Sequence, residues 1–251
     1  MDALNSLLPD GLSALAFFTI LMASFAGSFV TVAFGIGGGI LTITIMASFM
    51  PPAALIPVHG VVQLFSNGGR ALVFARSIQF QHIRWVAVGT LFGCVLGGLI
   101  SIDIPPRYAL GGLGLFVIWT VLASEPRGLG NWPFAAGTVS AFLTMFFGAT
   151  GMFIATHIKA LNLGRREHVG TQAAIMALQH LIKVLIFGVL GFAFAEWILV
   201  IAVLVLAGFL GTLSGKAMLV RVSDKFFRTA LNAVLLVLSV RLIWLAVVGS
   251  V

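Results

Sequence analysis

Apolar residues run through this chain in ten blocks, at about 12–34, 38–50, 57–75, 83–101 and 107–124, then 132–148, 151–163, 169–190, 195–215 and 227–249, joined by short polar connections. Within a block the apolar residues are continuous and do not alternate with period two. That pattern predicts helices surrounded by apolar material and argues against barrel strands. Most blocks approach the roughly 20 residues that a helix needs to cross a hydrocarbon core of about 30 Å. The second, sixth and seventh blocks are shorter; at 1.5 Å per residue, a helix of about 13 residues covers only about 20 Å. The first block with the second, and the sixth with the seventh, therefore read as broken or re-entrant hairpins. Glycine marks both breaks, as Gly35-Ile-Gly-Gly-Gly39 and as Gly148-Ala-Thr-Gly151. Unwound backbone at membrane depth is tolerated only where it is buried in protein or lines a polar cavity, so paired breaks point to a solute site near the midplane.

The two breaks are related. Residues 35–74 align without gaps on residues 148–187, placing Gly38 on Gly151, Asn67 on His180 and Arg70 on Lys183. Asp103 and Arg107 recur as Asp224 and Arg228 after a further eight-residue shift. An internal duplication follows, with halves 1–125 and 126–251 forming one integrated membrane domain. Basic residues set the sense of the two halves. Arg76 and Arg84 follow the third block, whereas its counterpart is followed only by Glu196; Pro51-Pro52 precede the third block, whereas Arg165 and Arg166 precede its counterpart. The bias reverses again near the end, where Lys216, Arg221, Lys225 and Arg228 cluster. By the positive-inside rule the connections 76–84, 125–130, 159–168 and 216–228 face the cytoplasm and both termini face outward. The expected fold is an all-α polytopic membrane protein of about 8–10 hydrophobic segments in two inverted-topology repeats.

Composition agrees: 60% of the 251 residues are hydrophobic and 8% are charged, against about 25% charge in a soluble domain. The net charge of +7 sits in the connections and reports orientation, so nucleic acid is not expected as a partner. The N-terminal stretch carries Asp2 and Asp10 and no basic residue, the wrong sign for a cleaved signal peptide, so the first block is expected to be retained. Cys94, the only cysteine, lies mid-block and excludes an intrachain disulfide and a cysteine metal cluster; it reads as packing.

Charge chemistry gives the solute site a sign. All seven acidic residues lie at block ends or in connections, so a hard cation has no anionic ligand at the midplane and no metal or cofactor is expected. Arg70, Lys183 and Arg241 fall inside apolar blocks, where a charge costs at least about 2.5–3.5 kcal/mol and needs a partner or water. His59, Gln63, Ser66 or Asn67, and Arg70 recur at spacings of three and four along one helical face; Gln172, Met176, Gln179 or His180, and Lys183 do the same in the second half. Two such stripes facing one another would form an anion site. Gly37, Gly38 and Gly39, and Thr150 and Gly151, would add backbone N–H groups at helix N-termini. His59 and His180 are the candidates for proton coupling. The competing reading has Arg70 and Lys183 snorkelling to an interface, His59 lying at one, and Arg241 serving packing. Gly27, Gly93, Gly97, Gly98, Gly111, Gly112, Gly114, Gly208 and Gly211 read as close helix packing. No phosphate-loop lysine, nucleophile elbow, His-Glu-x-x-His helix or paired aspartates occur, leaving ATP binding and intramembrane hydrolysis without a motif.

The run Gly35-Ile-Gly-Gly-Gly-Ile40 with Pro51 downstream, the polar third block through Asn67 and Arg70, and Gly148-Ala-Thr-Gly151 together resemble the sulfite exporter TauE/SafE family, over nearly the whole chain. The resemblance implies a secondary transporter of small sulfur-containing anions (sulfite, thiosulfate, sulfoacetate or related organosulfonates) in the cell inner membrane. The lipid bilayer and a second copy of the chain, as a homodimer, are its remaining expected partners. An inside-negative potential contributes about 2.3 kcal/mol per charge per 100 mV toward moving an anion out, so alternating-access export needs no coupled ion. Import of another small anion, an anion channel and an intramembrane enzyme are the alternatives.

Overall fold

The protein is described here by a computed structural model covering residues 8–34, 37–101, 105–123, 127–218 and 224–248, with side chains omitted at 34, 101, 127, 216–218 and 224–228. Of the features read from sequence, Asp2, Gly35, Ile36, Asp103, Glu125 and Arg221 lie outside the described residues.

Among the described residues ten α-helices form, one per apolar block: α1 (Ala14–Phe34), α2 (Gly38–Ala47), α3 (Pro52–Val73), α4 (Arg84–Ser101), α5 (Pro106–Leu122), α6 (Pro133–Phe147), α7 (Gly151–Ala160), α8 (Arg165–Val189), α9 (Ile198–Met218) and α10 (Asp224–Val248). No strand occurs among the described residues. The main departure from the block boundaries is α3, which begins five residues early, at Pro52, and runs through Pro57. Proline is at home in a first helical turn because its missing N–H would have no partner there; Pro57, one turn further in, removes a single interior hydrogen bond. Helices α5 and α6 likewise open on Pro106 and Pro133. Helix α8 opens where the Gly164 N–H donates to Glu167 Oε2 at 3.1 Å, one half of a capping box.

Stretches 14–33, 165–189, 194–215 and 229–248 are long and apolar enough to cross a membrane. Large apolar side chains such as Leu15, Leu99, Val237 and Val247 are exposed along the helices, in a number that only a lipid-facing surface accommodates. The chain is a multi-pass membrane protein. Helices α2 and α7, at 10 residues each, span about 15 Å and are too short to cross a hydrocarbon core of about 30 Å alone.

Packing divides the chain into two compact units that interleave along the sequence: Met1–Val62, Ile104–Ala123 and Ala193–Val251 form one, and Gln63–Asp103 with Ser124–Phe192 the other. Helix α3 contributes to both. In the first unit α1 packs against α9 and α2, and α10 against α5. A side chain added at Gly211 would run into the Phe25 carbonyl of α1, and one at Gly208 into Ser28; Ser24 Oγ donates to the Leu204 carbonyl across the same seam at 2.7 Å. In the second unit α4 packs against α6, and α8 against α4, α7 and α6. Side chains at Gly89 and Gly93 would strike the Phe134 and Thr138 carbonyls, and one at Gly137 the Val86 carbonyl. Small residues let backbones approach in lipid, where dispersion and short polar contacts replace the hydrophobic drive.

Candidate functional site

The break between α6 and α7 is built by Gly148, which takes φ 72°, followed by Ala149 and Thr150. Its polar groups are tied down by a closed network. Thr150 Oγ1 donates to the Ser140 carbonyl at 2.8 Å, Ser140 Oγ donates to Gln179 Oε1 at 2.9 Å, and Gln179 Nε2 donates to Thr150 Oγ1 at 3.2 Å. All three side chains are fully buried. Gln179 thereby fixes α8 against the break from one helical turn below Lys183. Sequence reading missed Ser140, a single small hydroxyl in an apolar block that lies outside the aligned repeat segments and gave no signal.

Lys183 is the largest fully buried side chain among the described residues. Its Nζ has no hydrogen-bond partner among the described residues. It lies within electrostatic reach of Cys94 on α4, and Cys94 with Ala141 and Met145 forms an apolar cluster that also takes in Ile182, Ile186 and Phe187 of α8. With no exposure at all, the side chain does not snorkel out of the protein. His180, one residue round the helix from Gln179, is 2% exposed. Gln172 lies two turns nearer the helix start and hydrogen-bonds His168. Gly151 opens α7 beside Met176, whose sulfur and methyl would meet an added side chain only at ordinary contact distance, 3.7–3.8 Å. Packing therefore does not require a glycine at 151.

The same unit holds the lower part of the α3 stripe. Asn67 is buried and its Nδ2 donates to the Gln63 carbonyl at 2.8 Å and lies 3.4 Å from Gln63 Oε1. Arg70 is half-buried, and its Nε has no partner among the described residues. No ion pair or hydrogen bond links the α3 stripe to Lys183 among the described residues.

The first break belongs to the other unit. Gly37, at φ 96°, caps α2, a conformation open to glycine and strained for other residues. A side chain on Gly38 would meet the Gly27 carbonyl and Thr31 Oγ1 of α1, so close packing of α1 on α2 explains that glycine. The Gly39 carbonyl accepts from His59 Nε2 at 3.3 Å. His59 is fully buried within the protein. Arg241 stacks on the Phe49 ring at 4.9 Å, in keeping with a packing role.

A family model described as sulfite exporter TauE/SafE matches residues 19–242. The chain belongs to the TauE/SafE family. It is therefore a membrane transporter and not an enzyme. Neither the curated proteins nor the solved structures provide a match to this chain.

Proposed function

We propose that this TauE/SafE member carries a small sulfur-containing anion, of the sulfite or thiosulfate kind, out of the cell across the inner membrane by alternating access. The observation that carries this reading is Lys183: a fully buried amine whose Nζ has no partner among the described residues. An uncompensated charge in apolar surroundings is costly, and an anion that arrives, pairs and leaves relieves that cost in the way a carrier needs. His180, one turn of backbone away, completes the anion's shell and is placed to exchange a proton with it. The Ser140–Thr150–Gln179 network holds Lys183 in position, and Gly151 keeps the α7 N-terminus open to the anion. Gln63, Asn67 and Arg70 form a second polar stripe in the same compact unit.

The pairing of helices supports an inverted repeat. The first helix of each half rests on the fourth helix of the other half, α1 on α9 and α6 on α4, each time through glycines of the fourth helix.

Counterflow of radiolabelled thiosulfate in proteoliposomes tests the proposal. Wild type accumulates label against unlabelled internal thiosulfate, and Lys183→Met reduces the initial rate at least about 100-fold, about 2.7 kcal/mol. Transport by Lys183→Met at the wild-type rate would overturn the reading.

A further inference from the structure

Thr90 is fully buried on α4, and its Oγ1 has no hydrogen-bond partner among the described residues. A threonine inside a helix commonly satisfies its hydroxyl on the carbonyl four residues back. Thr19, Thr31, Thr42, Thr44, Thr138 and Thr156 all do so, at 2.6–2.9 Å. Thr90 does not turn to the Val86 carbonyl in this way, and a buried hydroxyl left unbonded is costly.

What Thr90 faces follows from its neighbours on the same row of α4. Val86, Thr90, Cys94 and Gly98 are spaced by four and lie on one ridge of the helix. One turn before Thr90, Val86 clusters with Ile175 and Met176 of α8. One turn after it, Cys94 is within electrostatic reach of Lys183, and a side chain on Gly98 would meet Ile186 Cγ2 at 2.7 Å. Steps toward the end of α4 are therefore steps toward the end of α8, and the two helices run side by side in the same direction. Val86 is level with Met176, Cys94 with Lys183 and Gly98 with Ile186. Thr90 falls level with Gln179 and His180.

A helical side chain leans toward the helix N-terminus and covers the preceding turn. From Lys183 that direction leads to the level of Gln179, and hence of Thr90. Two fully buried donors, the Lys183 amine and the Thr90 hydroxyl, thus share one level of the α4–α8 seam, and neither bonds the other. Gln179 is already engaged with Ser140 and Thr150. No acidic residue lies on α4, α6 or α7, and the one on α8, Glu167, is in its first turn. Two donors with no acidic group facing them suit an acceptor that comes from outside the protein.

We propose that Thr90 is a substrate-binding residue, whose hydroxyl donates to the same anion that Lys183 holds, so that the anion lies between α4 and α8. This rests on the reading of Lys183 given above and adds the opposing wall of that site. The wall is α4, a helix on which sequence spacing marks no polar stripe.

Thiosulfate counterflow in proteoliposomes, run over a range of thiosulfate concentrations, tests this. Thr90→Val keeps the branched shape of the side chain and removes the donor. Its half-saturating concentration should rise about tenfold or more, the weight of one hydrogen bond to a charged group. Its melting temperature should not fall, because the hydroxyl removed is unpaired. Thr90→Ser returns the donor without the methyl group and should bring half-saturation back to within about threefold of wild type. If the valine variant does not fold, Thr90→Ala is compared with Thr90→Ser by the same measure. Half-saturation of the valine or alanine variant at the wild-type concentration would mean that the hydroxyl faces only water, and would overturn the proposal. Equal impairment of the serine and valine variants assigns Thr90 to packing and overturns it as well. Both of those results leave the Lys183 reading intact, whereas transport by Lys183→Met at the wild-type rate overturns the two together.

Discussion

Lys183 should behave as a residue kept for function at the expense of stability. Replacing a buried charge with an apolar side chain of similar length removes a desolvation cost, so Lys183→Met should raise the melting temperature in detergent, by the equivalent of about 1–4 kcal/mol, while transport falls. A drop in Tm would identify the amine as structural. Gln179→Leu should act in the opposite direction. It removes the shortest acceptor of the Ser140 hydroxyl and the amide donor to Thr150, leaving that hydroxyl only its 3.2 Å contacts with Thr150, at a cost of about 1 kcal/mol, measurable as a lower Tm. Gly151→Ala should leave Tm nearly unchanged, because its added methyl group meets Met176 at ordinary distance, yet should lower the counterflow rate. At this scale the sequence was legible where a residue was anomalous: a lysine among apolar residues stands out. Ser140 and Thr90 do not, because a hydroxyl becomes informative only once it is known which atoms around it are paired.

At the scale of helices, the glycines divide by what their missing side chains would strike. Gly93→Val and Gly211→Val would force a branched side chain into a carbonyl of the neighbouring helix. Overpacking of this kind costs about 1–3 kcal/mol or more, and both variants should be lost from the monodisperse peak in size-exclusion chromatography. Gly69→Ala, on α3 with nothing within 4 Å, should run as wild type and melt slightly higher, since alanine is the better helix former by about 1 kcal/mol. Every helix of this fold could be read from the chain, because apolar blocks and their polar joints are set by the bilayer. The start of α3 could not, since Pro51-Pro52 and Pro57 look like a turn until the first is seen to precede the helix and the second to lie inside it. Which glycines face a neighbour was equally hidden, as that depends on the rotation of two helices about their axes.

At the scale of the whole molecule, three basic connections share one end of the second unit. The Gln79 N–H donates to Thr171 Oγ1 at 3.0 Å, Gln79 Nε2 donates to Glu167, and His157 reaches Gly130, drawing residues 76–84, 127–130 and 159–168 together. We propose from charge bias that all three face the cytoplasm. Single cysteines at the exposed positions Gln81 and Asn131, in a Cys94→Ala background, should react with a membrane-impermeant maleimide in inside-out vesicles and stay unlabelled in intact cells. The reverse pattern would invert the assigned topology. The crossed pairing of helices also bears on how the protein is made. By the time residue 125 has been synthesised, α1, α4 and α5 are all present, but none has its most extensive packing partner, since α9, α6 and α10 are still to come. The first half therefore enters the membrane with three unfinished seams, and the last of them closes only when α10 emerges. A ribosome stalled in the middle of this gene leaves behind a fragment that wants a second fragment, and two half-chains made separately in one membrane have the means to find each other.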